Sequence, residues 1–349
     1  MGKLIRVLVA EDSPVLREFL VNILSADADI QVIATAVDGV QAVEAVGRLK
    51  PDVVTMDIHM PRLNGFEATR RIMESHPVPI VIVSSTMSDQ VAATFRAIEA
   101  GALAFVSRPH GIGHPDYAAS AGELVQTVRL MAEVKVVRRW PKPEAVGRRV
   151  VPAPSPLPKA ASGSGGKIVA IGASTGGPMA LRTILAGLPS DFPAPLLVVQ
   201  HISPGFVQGF VEWLGTSSPV PVLLARHGER PLAGQVYLAP DGTHLGIDAN
   251  TIKLDGGAPE NGIRPAISYL FRSVAQAFGA NAIGVLLSGM GADGAVELKR
   301  LKDVGATTIA QSKESSVVHG MPGVAIGLGG ATHVLGPEEI AGLLMQWVR

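Results

Sequence analysis

Three polar residues follow three short apolar runs in the second half of the sequence, and their types fit nucleophilic catalysis. Ser174 lies in GASTGGP after KIVAI, His201 directly follows LLVVQ, and Asp293 lies in SGMGADG after AIGVLL. A serine hydroxyl needs a base to take its proton, and the base needs an acid to orient it. Short apolar runs predict buried parallel strands, whose carboxyl ends meet at one edge of a sheet. We therefore predict that the three side chains form a catalytic triad.

Each member of this triad also has a structural interpretation, because serine and aspartate commonly cap helices and a histidine can simply end a strand. Four other histidines are alternative bases, but none follows an apolar run so directly beside the serine strand. The glycines near Ser174 and Asp293 are expected to let a substrate carbonyl approach and to leave backbone N–H groups free for an oxyanion. The histidines are His227, His244, His319 and His333, and the glycines are Gly172, Gly176, Gly177, Gly289, Gly291 and Gly294.

A second set of chemical residues lies in the first 110 positions. Glu11 and Asp12 follow one predicted strand and Asp57 follows another, so the three carboxylates should meet where strand order reverses. Clustered carboxylates repel one another unless a cation lies among them, and oxygen ligands of this kind suit Mg²⁺. Ser84 and Arg108 end two further predicted strands at the same edge. Together these groups predict a site for phosphoryl transfer to Asp57, although any one of them alone reads as an ordinary solvated strand end.

The elements that must position these residues alternate between strand-like and helix-like patterns in two separate stretches of the chain. This alternation predicts an α/β protein with two doubly wound parallel-sheet domains. We expect the first domain to span residues 1–137 and the second to span residues 167–349, joined by a linker rich in Pro, Gly and Ser at 138–166. Within the second domain, Gln235 to Asp248 and Thr251 to Asp255 resemble inserted antiparallel strands with Asp-Gly and Asn turns.

Composition excludes several classes of protein. The chain has 349 residues, a formal net charge of zero and no cysteine. A balanced charge argues against nucleic acid or an anionic membrane as the main partner. The lack of cysteine excludes disulfides and fits a cytoplasmic location. The apolar run at the start is short and soon followed by Glu11 and Asp12, so we interpret it as a strand rather than a signal peptide.

The first domain closely resembles a response-regulator receiver domain, on the strength of Glu11-Asp12, Asp57-Ile-His-Met-Pro, Gly65 and the Arg108-Pro109 pair. The resemblance implies a flavodoxin-like fold in which Asp57 accepts a phosphoryl group and Glu11, Asp12 and Asp57 hold Mg²⁺. It also implies that Ser84 and Arg108 form the switch that senses the phosphoryl group. The family usually has lysine where this chain has Arg108, which keeps the charge but not the compact ammonium.

The second domain resembles the catalytic domain of chemotaxis-type protein-glutamate methylesterases, through GASTGGP, QHI and SGMGADG in the order Ser, His, Asp. α/β-Hydrolases place the acid before the histidine. The resemblance implies a Rossmann-like domain that removes methyl esters from glutamates of a chemoreceptor, and deamidates its glutamines, without a cofactor. It implies Ser174 as nucleophile, His201 as proton relay and Asp293 as orienting acid. Thr175 and the Met290 amide match family positions beside the site, the latter at the oxyanion.

The same resemblance implies a chemoreceptor as substrate and a histidine kinase of the CheA type as phosphodonor. Joining the two domains suggests that the unphosphorylated receiver domain covers the Ser174 rim. An alternative function is a phosphorylation-controlled interaction module with weak or no esterase activity, in a chemosensory system other than the flagellar one. Arg108 and the long linker favour that alternative.

Overall fold

The first domain is a five-stranded parallel sheet with helices on both faces. The computed structural model describes residues 4–84, 88–134, 136 and 166–347, so the predicted linker lies outside the described residues except for Gly166. The strands run in the order β2-β1-β3-β4-β5, which confirms a doubly wound sheet. The elements are β1 (Ile5–Ala10), α1 (Pro14–Ser25), β2 (Ile30–Ala36), α2 (Gly39–Leu49), β3 (Val53–Met56), α3 (Gly65–Ser75), β4 (Ile80–Ser84), α4 (Ser88–Glu99), β5 (Ala104–Ser107) and α5 (Tyr117–Glu133).

Side-chain caps start three of these helices at the carboxyl edge of the sheet. Ser13 accepts from the Leu16 amide at 3.5 Å, and Asp38 accepts from the Gln41 amide at 2.9 Å. Asn64 caps α3 in the same way. A cap satisfies an amide that the first turn leaves without an intrahelical partner, so each cap fixes where its helix leaves the sheet edge.

The second domain contains a seven-stranded sheet in which every described strand pair is parallel. The strands run in the order β14-β13-β12-β6-β7-β9-β8, so the chain starts near the middle and reverses between β6 and β12. The elements are β6 (Ile168–Ala173), α6 (Gly177–Ala186), β7 (Leu196–Gln200), α7 (Val207–Gly215), β8 (Val222–Leu224), β9 (Val236–Leu238), β10 (His244–Asp248), β11 (Thr251–Asp255), α8 (Ile267–Phe278), β12 (Ala282–Leu286), α9 (Ala295–Asp303), β13 (Thr307–Gln311), α10 (Met321–Gly327), β14 (His333–Leu335) and α11 (Pro337–Trp347).

The expectation of antiparallel strands throughout Gln235–Asp248 is wrong for its first part. β9 lies between β7 and β8 and is parallel to both. All three of its residues are buried, as a strand covered on both faces requires. Only β10 and β11 form the antiparallel hairpin, and its turn at Ala249 and Asn250 has φ values of 43° and 67°.

The two domains are in direct contact through a helix that the sequence patterns do not predict. α7 of the second domain packs against α4 of the first, and Val91 and Phe95 of α4 belong to the same buried cluster as Phe210 and Trp213. Gly209 permits this approach, because a Cβ at that position would lie 2.2 Å from Cγ1 of Val91. No helix within the described parts of the chain combines the length and hydropathy needed to cross a bilayer.

Candidate active site and phosphoacceptor site

The carboxyl ends of three neighbouring strands bring Ser174, His201 and Asp293 to one edge of the second sheet. Ser174 directly follows β6, His201 directly follows β7, and Asp293 lies in the loop after β12. Backbone hydrogen bonds continue the sheet into this edge, since the His201 amide donates to Ala173 at 2.9 Å and the Ser174 amide to Ser288 at 3.0 Å. The order in which the chain adds strands to the sheet reverses between β6 and β12, and doubly wound sheets form their sites at such a point.

His201 and Asp293 form a hydrogen-bonded pair, with Nε2 of the imidazole 2.9 Å from Oδ2 of the carboxylate. Asp293 is 9% exposed and also accepts from the start of α8. The Ile267 amide donates at 2.7 Å, the Ser268 amide at 3.0 Å and the Ser268 hydroxyl at 2.6 Å. Burial raises the pKa of the Asp293 carboxyl, but the hydrogen bonds from His201, Ser268 and Ile267 outweigh it and hold the pKa below its usual value. The carboxylate is therefore a fixed anion that orients the imidazole.

The turn that carries Ser174 depends on close backbone packing. Gly176 has a φ of +81°, and a Cβ on Gly289 would lie 2.6 Å from Cβ of Ser174. The side-chain amide of Gln200 donates to the Ser174 carbonyl at 2.9 Å and so ties the turn to the end of β7. Ser174 is partly exposed at this edge. This arrangement is suited to a serine that must meet a substrate and a histidine together.

Two of the glycine amides expected to serve an oxyanion are engaged elsewhere. The Gly289 amide donates to the Val318 carbonyl at 3.0 Å, and the Gly294 amide donates to the Ser268 hydroxyl at 3.0 Å. For Gly289 and Gly294 that expectation is wrong, because both amides already have acceptors within the domain. Within residues 166–347, the amides of Met290 and Gly291 donate to no acceptor. An oxyanion role at this loop therefore stays a prediction for these two amides.

The alternative histidines have other surroundings. His244 is 1% exposed, accepts from the Ala266 amide at 3.1 Å through Nδ1 and lies 3.1 Å from the Ala258 carbonyl through Nε2. Both of its ring nitrogens are thus used to hold the fold. His227 contacts the backbone of β11, and His333 is exposed on β14. Burial lowers the pKa of His319, which lies near the Ser316 hydroxyl.

Ser174 and His201 line a cleft of about 360 Å³ between the two domains. The second domain contributes one wall, which includes Thr175 and Met290, as the sequence predicts for residues beside the site. The receiver-like domain contributes the other wall from β5 and α5. A direct hydrogen bond crosses the cleft, from the Ser203 hydroxyl to Oε1 of Glu123 at 3.1 Å. The first domain therefore lies next to the candidate active site.

Glu11, Asp12 and Asp57 also meet as expected, at the point where the first sheet reverses between β1 and β3. One carboxylate oxygen of each lies within 4.8 Å of the others. Glu11 and Asp57 are 1% and 3% exposed. Burial first, and then the charge of Asp57, raise the pKa of Glu11 to about 7, against the opposing effect of Arg108. Burial likewise raises the pKa of Asp57. The three carboxyl groups thus lie close together in a partly buried place, where the ionised forms of Glu11 and Asp57 are disfavoured.

These residues fit a divalent cation. Oε2 of Glu11 is buried without a hydrogen-bond partner among the described residues, and hard carboxylate oxygens are the ligands that Mg²⁺ prefers. A guanidinium nitrogen of Arg108 lies 3.3 Å from Oδ1 of Asp57 and 3.6 Å from Oε2 of Glu11. Ser84 is buried at the end of β4, and its carbonyl accepts from the Arg108 amide at 2.8 Å. The Arg108 guanidinium is therefore the group placed beside both Asp57 and Glu11.

Sequence reasoning missed two residues that support the candidate active site. Ser268 donates to Asp293, and Gln200 donates to the Ser174 carbonyl. Gln200 precedes the predicted base, and Ser268 lies at the start of a predicted helix. The sequence does not indicate the partner of either residue, because each hydrogen bond joins residues that are distant along the chain.

Comparison with known proteins identifies relatives that match both halves of the chain. The family described as CheB methylesterase matches residues 169–344, and the response regulator receiver domain matches residues 7–114. The chain is 57% identical over 342 residues to a protein-glutamate methylesterase/protein-glutamine glutaminase of Geobacter metallireducens, covering 97% of each chain. It is 55% identical to a protein of the same name from Nitrosospira multiformis, covering 99% of this chain and 97% of the relative.

The second domain is also similar to a solved structure. The Thermotoga maritima CheB methylesterase catalytic domain is 40% identical, with a TM-score of 0.51, and the match covers 52% of this chain and 99% of that chain. The names of these relatives favour an enzyme over an interaction module without esterase activity.

We predict that Ser268→Ala lowers ester hydrolysis while leaving the fold intact. The variant removes the hydrogen bond from this hydroxyl to the Asp293 carboxylate, which contributes about 1.5–3 kcal/mol, and also removes the acceptor of the Gly294 amide. We expect kcat/KM to fall roughly ten- to a hundredfold, compared with about 10⁴-fold for Asp293→Asn, which disturbs the histidine itself. Steady-state kinetics with a methyl ester substrate measure both. Equal activity of Ser268→Ala and wild type would show that the hydroxyl does not support the acid.

His244→Ala should behave in the opposite way. The substitution leaves a buried amide and a buried carbonyl without partners, so we expect the free energy of unfolding to fall by about 2–3 kcal/mol. The folded fraction should keep kcat within about twofold. Urea unfolding and active-site titration test this, with His201→Ala as the matched variant that keeps stability and loses activity. A large loss of kcat in folded His244→Ala would make His244 the better candidate for the base.

Proposed function

Because the chain belongs to the CheB methylesterase family, we propose that it is a protein-glutamate methylesterase and protein-glutamine glutaminase whose activity is controlled by phosphorylation. The single observation that carries the proposal is the hydrogen-bonded His201–Asp293 pair, which lies beside Ser174 where the strand order of the sheet reverses. Identities of 57% and 55% to proteins of this name, over nearly the whole chain, support the same activity.

In the proposed reaction, Ser174 Oγ attacks the carbonyl carbon of the glutamate methyl ester and His201 takes the hydroxyl proton. Nε2 of His201 is bound to Asp293, so Nδ1 is the nitrogen available for that proton. The tetrahedral intermediate collapses, the C–O bond to methoxide breaks, and the imidazolium supplies the proton that makes methanol. Water then attacks the acyl-Ser174 ester with His201 again as base, which releases glutamate. A glutamine substrate follows the same path and loses ammonia instead.

Asp293 keeps its role throughout these steps. Its three contacts with the start of α8 leave it no freedom to rotate away from His201. An anionic partner stabilises the imidazolium that forms when Ser174 attacks. We assign the oxyanion to backbone amides near Met290, which lines the cleft beside Ser174.

The receiver domain would accept a phosphoryl group on Asp57 from a phosphodonor, with Mg²⁺ held by Glu11, Asp12 and Asp57. When bound, Mg²⁺ would neutralise charge on the transferring phosphoryl group. Arg108 already lies 3.3 Å from Asp57 and is suited to pair with phosphoryl oxygens in place of the carboxylate. We propose a histidine kinase of the CheA type as the donor, a chemoreceptor as the substrate and the cytoplasm as the compartment where the three meet.

Aromatic stacking between the domains supports control of the second domain by the first. The Phe95 ring on α4 lies 5.3 Å from Phe210 and 5.2 Å from Trp213, stacked on both. Polar contacts surround this stack. Trp213 Nε1 donates to Glu99 at 2.8 Å, and Arg182 pairs with the same carboxylate at 2.8 Å. We propose that this interface is the inhibited state and that phosphorylation weakens it.

A short path joins the phosphoacceptor site to this interface. Phe105 lies three residues before Arg108 on β5, with its ring 5.1 Å from Phe206 of the second domain and 5.6 Å from Phe95. Movement of Arg108 or of the end of β4 toward a phosphoryl group would therefore shift the strand and helix that hold the interface. Phosphorylation can change the balance between the docked and the undocked arrangement of the two domains through such a contact.

We expect Asp57→Asn to remove the response to phosphodonor but not the basal activity. The amide cannot form an acyl phosphate, while Ser174 and its partners are unchanged. Demethylation of a methylated receptor fragment should rise severalfold when wild type receives acetyl phosphate and Mg²⁺, and should stay at the basal rate in the variant. Mass spectrometry of the fragment gives both rates. Stimulation of Asp57→Asn to the wild-type level would place the phosphoacceptor elsewhere.

Phe95→Ala should raise the basal rate of receptor demethylation without phosphodonor. Truncating a buried aromatic ring costs about 3–5 kcal/mol of packing, here mostly lost from the interface. An increase of tenfold or more is expected. Phe66→Ala is the matched control, because Phe66 lies against Arg96 within the receiver domain. A Phe95→Ala rate at or below that of wild type and control would refute inhibition by this contact.

A further inference from the structure

The docked receiver domain leaves the candidate active site open on one side instead of filling it. The cleft of about 360 Å³ contains Ser174 and His201 on one wall and residues of α5 and β5 on the other. Phe95, Phe210 and Trp213, the described side chains that form the main stack between the domains, do not line it. The main aromatic stack between the domains is thus separate from the cleft, although Phe105 and the Ser203–Glu123 pair both line the cleft and join the domains.

The size of the cleft separates two kinds of ester. An α-helix with its side chains is about 10–12 Å wide. Residues of β5 and α5 form the wall of the cleft opposite Ser174, so a helix of that width meets this wall before its side chain reaches the serine. A glutamate ester on a protein helix can reach Ser174 only if that helix also approaches the cleft. Residues of α5 line the side of the cleft opposite Ser174 and so obstruct the helix. A free ester of a few carbon atoms has no such attachment.

The lining indicates which small esters fit. Apolar side chains from both domains cover much of the surface. Among the described lining residues, Glu123 is the one carboxylate, and it holds the Ser203 hydroxyl at 3.1 Å. A carboxylate in a small cleft repels anions, whereas uncharged molecules with some apolar surface are favoured. The apolar lining residues include Leu103, Phe105, Leu130, Ile202 and Val317.

We propose that the docked, unphosphorylated chain hydrolyses small uncharged carboxylic esters through this cleft, so that the receiver domain acts as a size filter and not as a plug. The proposal rests on the esterase function of Ser174 proposed above. Ser174 attacks the ester carbonyl, the alcohol leaves with the proton from His201, and water releases the carboxylic acid. Undocking of the receiver domain changes access for proteins and leaves access for small esters nearly unchanged.

The experiment compares two substrates on the full-length chain without phosphodonor. The small substrate is 4-nitrophenyl acetate, followed by release of 4-nitrophenolate, and the large one is a methylated receptor fragment, followed by mass spectrometry. For 4-nitrophenyl acetate, kcat/KM of wild type should lie within about threefold of Phe95→Ala, whereas the receptor fragment should differ at least tenfold. The rate of Ser174→Ala is subtracted from each, since other surface groups also react with activated esters.

A second variant tests the route directly. Gln126 lines the cleft from the exposed side of α5, so Gln126→Trp should fill it without disturbing a core. We expect at least a tenfold loss of 4-nitrophenyl acetate hydrolysis in the docked chain, recovery when Gln126→Trp is combined with Phe95→Ala, and little effect from Gln126→Ala. Circular dichroism confirms folding of each variant.

The possible results separate this inference from the proposed function. Hydrolysis of 4-nitrophenyl acetate that is tenfold slower in wild type than in Phe95→Ala would make the receiver domain a plug and overturn the inference. No effect of Gln126→Trp would show that small esters do not use this cleft. Demethylation of the receptor fragment with no hydrolysis of the small ester would also refute the filter while leaving the esterase function standing. If neither wild type nor Phe95→Ala hydrolyses either substrate, the proposed esterase function itself is refuted.

Discussion

The stacking of Phe95 against Phe210 and Trp213 is the contact on which the arrangement of the two domains depends. It places α5 opposite Ser174 and forms the cleft. Arg182 and Glu99 add polar contacts at its margin, where partial exposure limits the energy of an ion pair. Most of the docking energy therefore comes from burial of aromatic surface. Because α4 lies between β4 and β5 in the chain, a change at the ends of these two strands would act on the helix that carries Phe95.

Both sites follow from one constraint of parallel sheets, which is that side chains after neighbouring strands meet where strand order reverses. In the first domain the reversal brings together carboxyls in a buried place, where burial first and then the charge of Asp57 raise the pKa of Glu11 to about 7. In the second domain it brings together Ser174 and Asp293, which follow the adjacent strands β6 and β12. There the acid is satisfied by the start of α8 and its pKa is lowered. The same geometry thus raises the pKa of Glu11 in one domain and holds Asp293 as a carboxylate with a lowered pKa in the other.

The sequence predicts features that depend on neighbours along the chain. The apolar runs fix the strands and so place Ser174, His201 and Asp57 at sheet edges. Features that depend on packing between distant segments were missed or wrong. β9 joins the parallel sheet because the buried space lies between β7 and β8, which no local pattern reveals. The Gly289 amide is used by Val318, and Ser268 reaches Asp293, for the same reason. The docking of α7 on α4 likewise depends on two helix surfaces that lie far apart in the sequence.

We propose that phosphorylation of Asp57 frees the Ser174 site by loosening the contact between α4 and α7. Hydrogen–deuterium exchange of the full-length chain, with and without acetyl phosphate and Mg²⁺, measures this contact directly. Amides of Val207–Gly215 should exchange faster after phosphorylation in wild type, in step with the rise in demethylation, and should not respond in Asp57→Asn. A rise in demethylation with unchanged exchange across this helix would contradict the account.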